Sequence, residues 1–196
     1  MSSPLPHPIA RYALWIILTA PGALLLYRYA NGDTFYGEVV HRTGLWATLL
    51  LILALAVTPV RLVLPSGTIS RWLLQSRRYF GVASFAYAAM HTAGYLQRKG
   101  SLERILSEGA EPGLLTGWLA LAIFLPLAMT SNDWSVRKLR RWWKHLHRTV
   151  YLATALMFAH WLLAAFDQRP ALYHVAIVVG LECFRLAVQL VKRRAA

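Results

Sequence analysis

The chain has a single cysteine, Cys183, so neither a disulfide framework nor a CxxC metal or redox pair can be drawn from it. Acidic residues are scarce, eight Asp and Glu against 21 Lys and Arg, and charged side chains make up only 15% of 196 residues. No Gly/Ser linker, low-complexity tract or fixed-period repeat divides the sequence, so residues 1–196 read as one domain. With 57% hydrophobic residues the chain is too apolar for an ordinary soluble domain. A net charge of +13 would suit nucleic acid, but the cations fall in short clusters between apolar runs about as long as a bilayer is thick. They read as topology signals, which makes membrane lipid the surrounding partner and excludes nucleic acid. Tyr12 to Tyr27 could be mistaken for a leader, yet only Arg11 precedes it and no small-residue cleavage site follows, so removal is not expected.

What is present is a series of six apolar runs: Ile9–Tyr29, Gly44–Leu64, Tyr79–Leu96, Gly113–Met129, His147–Phe166 and Ala171–Val191. Each approaches the ~20 residues a spanning helix needs, which predicts an all-α membrane bundle of about six transmembrane helices. Pro21, Pro59 and Pro126 fall in or near the runs and are read as kinks, since neighbouring helices can re-satisfy the freed backbone groups. Fourteen cations lie on one side of this arrangement and six on the other, with Arg185 inside the last run. The positive-inside rule then places both termini in the cytoplasm. Trp72, Trp134, Trp142 and Trp143 near the basic loops fit an interfacial aromatic belt.

Of seven histidines, His7 is in the N-terminal tail, and His41 and His174 begin spans on the outer side, where a solvated interfacial role suffices. His91 and His160 lie well inside apolar runs, where an ionisable side chain is costly and marks a candidate site. Thirteen residues separate Arg78 from His91, and thirteen separate His147 from His160. Both imidazoles therefore sit ~20 Å along parallel helices, at one height in the outer half. Small residues flank them: Ala88 and Gly94 near His91, Ala153 and Ala164 near His160. Paired imidazoles at one depth with room beside them suit axial ligation of haem b, one group, or two if a second site forms lower down. The same residues also permit two buried histidines hydrogen-bonded to Ser, Thr or backbone carbonyls, or a proton or ion transporter using intramembrane histidines. Zinc is disfavoured, because cysteines and paired carboxylates are missing at that depth.

His147 suits a second, cytoplasmic-side haem, but its counterpart on span three is Arg78, whose guanidinium cannot ligate iron. His145 or another helix would have to complete that site; otherwise His147 contacts a flavin, a quinone or a propionate, or caps its helix. Glu182 and Arg185 have the spacing of an intrahelical ion pair. Arg185 with Arg77 and Arg78 could alternatively line a site for an anionic cofactor or quinone.

The sequence also resembles a known family, the haem-binding membrane subunit MsrQ of bacterial periplasmic protein-methionine-sulfoxide reductase systems. The resemblance covers roughly residues 41–166. It rests on His41-Arg-Thr-Gly44, Val57-Thr-Pro-Val-Arg61, Arg77-Arg-Tyr-Phe-Gly81, Thr130-Ser-Asn-Asp-Trp134, and Trp143-Lys-His-Leu-His-Arg-Thr-Val-Tyr-Leu152 followed by His160-Trp161. It implies a ferric-reductase-like transmembrane fold in the bacterial inner membrane, b-type haem and FMN. It implies electrons drawn from the quinone pool or a cytoplasmic flavin reductase, and a periplasmic molybdenum-cofactor reductase subunit as recipient. The chain would then be a non-catalytic electron conduit in the repair of oxidised periplasmic proteins. His91, His147 and His160 match the family's haem-associated histidines. Ferric reductases and NADPH oxidases place two histidines on each ligating helix, whereas span three here offers only His91.

Overall fold

A computed structural model describes residues 8–194, which leaves His7 outside the described residues. Among them there is no strand, and nine helices follow one another: α1 Pro8–Ala30, α2 Tyr36–Val63, α3 Thr68–Lys99, α4 Leu102–Gly109, α5 Pro112–Met129, α6 Asp133–Leu139, α7 Arg141–Arg148, α8 Val150–Ala164 and α9 Arg169–Arg194. Gly32 and Gly100 follow α1 and α3 at φ of 78° and 65°. This left-handed geometry stops a helix at little cost when no Cβ is present. Pro112 opens α5, where its missing N–H is no loss. Asn132 caps α6 by accepting from the Ser135 amide at 2.8 Å.

Among the described residues four helices are both long and apolar enough to cross a bilayer: α1 from Ile9, α2, α5 and α9. The expectation of six spans is therefore approximate. At 32 residues α3 is the longest helix, but its ends carry Arg71, Arg77, Arg78, Arg98 and Lys99, which dilute the apolar stretch between them. Helix α8 has 15 residues, about 22 Å of rise against a hydrocarbon core of ~30 Å. Only Thr149, with near-helical φ −65° and ψ −9°, separates it from α7, so the turns run on from Arg141 to Ala164 with one hitch.

The chain clusters into two compact units. Of the described residues, the first contains 8–87 and 176–194. In it α2 is the central helix, with Leu50, Leu51, Ala54, Leu55 and Val57 buried, and α3 contributes buried Phe80, Ala83 and Tyr87. Buried polar and aromatic side chains tie these helices together. Ser84 Oγ donates to the Ala47 carbonyl at 2.7 Å, and Trp46 stacks on Tyr87 at 6.1 Å. The Tyr87 hydroxyl donates to the Leu18 carbonyl at 2.9 Å and accepts from the Gly22 amide at 2.8 Å. Those two backbone groups are four residues apart and would pair with each other in an unbroken helix. Pro21 lies between them, inside α1, where its ring disfavours regular helical pairing. The Tyr87 hydroxyl thus bridges the two groups of this rung.

The second unit contains residues 88–175. Its core is the packing of α5 on α8, with Ala120, Leu127, Ala153 and Phe158 buried. Gly113 brings the backbones close: a Cβ there would lie 3.4 Å from Leu163 Cβ and 3.5 Å from the Leu163 carbonyl carbon. With Gly117 it forms a G-x-x-x-G seam of the kind that lets membrane helices approach closely.

Candidate functional site

His91 on α3 and His160 on α8 face each other within the second unit. Their ring centres are 6.1 Å apart, crossed at 82°. A first-row metal bound to two imidazole nitrogens at ~2.0–2.1 Å each would set the ring centres about 6 Å apart, so the pair has room for one ion between the rings. His160 Nδ1 lies 2.7 Å from the Gly113 carbonyl oxygen. A carbonyl only accepts, so Nδ1 carries the hydrogen and donates, which leaves the lone pair on Nε2. This is the arrangement that a ligating histidine adopts when a backbone carbonyl orients it from behind. Both rings are half-buried.

The small residues that admit the His160 ring are not the ones expected beside it. Ala153 is fully buried at 0% exposure in the helix packing, and Ala164 is exposed. The closest approach is to Gly117 of α5, where a Cβ would sit 2.8 Å from Nδ1, 3.0 Å from Cγ and 3.1 Å from Cε1 of His160. The residues neighbouring His160 in sequence do not point to Gly113 and Gly117, although the four-residue spacing of these glycines is itself a readable signal.

One turn beyond His91, Tyr95 packs edge-on against Trp118 at 6.3 Å. Lys99 lies over the Tyr95 ring and pairs with Glu108 of α4. A Cβ on Gly109 at the end of α4 would come 3.7 Å from Trp118 Nε1. The short α4 is thereby strapped over the ends of α3 and α5 on the side of the histidine pair that lies toward the C-terminus of α3.

His147 has different surroundings. Its ring stacks on Trp143 with centres 4.0 Å apart and planes 23° apart. Its Nε2 is 3.0 Å from Thr130 Oγ1. That hydroxyl donates its only hydrogen to the Pro126 carbonyl at 2.6 Å, so the imidazole is the donor to Thr130. Trp143 Nε1 donates to the Thr130 carbonyl at 3.0 Å. His145 is exposed and lies beside Trp142 at 5.9 Å, so it does not join His147. Among the described residues no group of three or more His, Cys, Asp or Glu is placed to hold a metal ion. Arg77 is half-buried and Arg78 exposed on the first-unit part of α3. Glu182 and Arg185 form the ion pair their spacing implied, at 2.7 Å. His41 is exposed, and His174 Nδ1 donates to the Pro170 carbonyl at 2.6 Å beside Trp161.

The sequence profile of the ferric reductase like transmembrane component family matches residues 43–158. That stretch includes His91 and His147 and ends two residues before His160. The protein-methionine-sulfoxide reductase heme-binding subunits MsrQ of Brucella ovis and Brucella canis are each 37% identical to this chain over 193 residues, covering 93% of it and 84% of their own length. The chain belongs to the MsrQ family. The MsrQ of Brucella melitensis biotype 2 shows the same identity and coverage. Membership of this ferric-reductase-like transmembrane family agrees with the all-helical architecture and with four helices apolar enough to span a bilayer. The MsrQ resemblance expected from the five sequence stretches is thus borne out.

Proposed function

We propose that this chain is the membrane subunit that holds haem b between His91 and His160 and conducts electrons to a protein-methionine-sulfoxide reductase. The observation that carries the reading is the pair of crossed imidazoles 6.1 Å apart, one of them locked in the tautomer that leaves Nε2 open. When bound, haem supplies a one-electron ferric/ferrous couple whose potential depends on its axial ligands, their hydrogen bonds and burial. The residues orient and insulate. His91 and His160 would hold the group, the Gly113 carbonyl fixes the His160 ring from behind, and the packed α5 and α8 helices support that ring. Conducting electrons requires neither a nucleophile nor a general base from this chain, and in this reading the sulfoxide chemistry belongs to the partner, a periplasmic molybdenum-cofactor subunit.

The cation asymmetry supports a bacterial inner-membrane location with both termini cytoplasmic. Electrons then enter from the quinone pool or a cytoplasmic flavin reductase. FMN belongs to the same reading, with Arg77 and Arg78 as candidate contacts for the anionic groups of a flavin or for a quinone. His147, with Nε2 engaged by Thr130 and one face covered by Trp143, is better placed to touch a cofactor edge or propionate than to ligate iron through Nε2. The test is the absorption spectrum of the purified protein, oxidised and dithionite-reduced, with a haem-to-protein ratio. Wild type should show a b-type spectrum at about one haem per chain, and His91→Ala or His160→Ala should each lose most of it. Normally inserted variants with unchanged haem content and potential would refute the assignment.

A further inference from the structure

We propose that Gly113 and Gly117 are positioning residues for His160. The carbonyl of Gly113 selects the ring's tautomer, and the missing side chain of Gly117 provides the place where the ring lies. The proposal rests on the haem reading above and adds to it the group that sets how His160 is aimed. The glycines lie one turn apart on α5 and do different things. At 113 a Cβ would meet the α8 backbone and Leu163 at 3.4–3.6 Å, an ordinary contact distance, so what this position contributes to the ring is its carbonyl. At 117 its three nearest neighbours would all be imidazole atoms of His160, at 2.8–3.1 Å, tighter than a Cβ ordinarily packs. One of those atoms is Cγ, next to the root of a rigid ring, so the side chain cannot yield by swinging its far end. An added methyl at 117 must push the imidazole off α5, stretch the 2.7 Å bond to the Gly113 carbonyl and turn Nε2. Gly81 and Gly180 also lie in helices, and a Cβ on either would meet nothing within 4 Å.

The experiment compares full-length wild type, Gly117→Ala, and the matched controls Gly81→Ala and Gly180→Ala, purified in detergent. Disturbing the group that orients a ligating histidine lowers affinity for the bound group roughly 10–100-fold, and Gly117→Ala should lose haem affinity on that scale while the controls match wild type. In the fraction that keeps haem, a weaker Nδ1–H bond makes the imidazole a poorer donor to ferric iron. The midpoint should therefore rise, by ~59 mV for each tenfold by which the ferric form loses more affinity than the ferrous. A stability cycle keeps the test decisive if Gly117→Ala folds poorly. In a His160→Ala background the ring is gone, so adding Gly117→Ala should cost nothing further. Equal destabilisation in both backgrounds would overturn the proposal, because the methyl would then act on helix packing. Unchanged haem affinity and midpoint in Gly117→Ala would overturn it too, while leaving the haem reading intact. Haem-free wild type would instead sink the haem reading, and the cycle would still decide whether Gly117 seats the ring.

Discussion

Replacing Tyr87 by Phe removes one oxygen atom and tests its bridge to the backbone of α1. The ring is 3% exposed and stays packed on Trp46 and against Gly22, so its apolar burial is retained. What is lost is the hydroxyl between the Leu18 carbonyl and the Gly22 amide. A buried polar group left unpaired costs about 1–3 kcal/mol, and two are exposed to that fate. If the Leu18 carbonyl and Gly22 amide pair with each other instead, the loss falls toward the ~0.6 kcal/mol average of interhelical hydrogen bonds in membranes. Pro21 resists that closure, since its ring crowds the carbonyl of Ile17. We therefore expect a destabilisation of about 1–3 kcal/mol. By the scaling for chains of this size that is a fall of at least ~2–4 °C in thermal midpoint. Thermal unfolding in detergent measures it, with Tyr12→Phe and Tyr27→Phe as controls, because these residues are 71% and 66% exposed. In a Pro21→Ala background the Tyr87→Phe loss should shrink. A Tyr87→Phe protein within ~0.5 kcal/mol of wild type, the range of an ordinary surface change, would refute the bridging role.

Thr130→Val removes the acceptor for His147 Nε2–H while keeping the side-chain shape, and should cost about 1 kcal/mol, read as a lower thermal midpoint. In a His147→Ala background most of that cost should disappear; additive losses would show that the two side chains do not act together. Arg140, at φ 47° and ψ −116° between α6 and α7, is the one described non-glycine residue with positive φ. Arg140→Gly should stabilise the joint by about 1 kcal/mol through relief of backbone strain, and a lower thermal midpoint would show that the arginine's side-chain interactions outweigh it.

Membrane burial made much of the fold legible, because a bilayer demands apolar length and the apolar runs at 113–129 and 171–191 mark α5 and α9 to within three residues at each end. The ends of other helices were not readable in this way. Helix α3 starts at Thr68, eleven residues before its apolar run, because Ser70, Arg71, Gln75, Arg77 and Arg78 wind helically without being apolar. Helix α4 was hidden in a polar loop for the same reason: its stability comes from the Ser101 cap and the Lys99–Glu108 pair. At the site, equal depth along two runs was enough to pair His91 with His160. The bond from His160 to Gly113 spans 47 residues and ends on a carbonyl, which no side-chain pattern records. The Thr130–His147 contact was likewise out of reach, since it depends on how α6 and α7 fold back between α5 and α8.

The acceptor behind His160 has a consequence for genetics. Every amino acid at position 113 brings the same peptide oxygen, so no codon change deletes it, and a scan that truncates side chains one by one would score that oxygen as absent from the machinery. Only changes of shape nearby can disturb it, and mutational maps of such a membrane protein will register the backbone's part indirectly, as intolerance to bulk at neighbouring glycines.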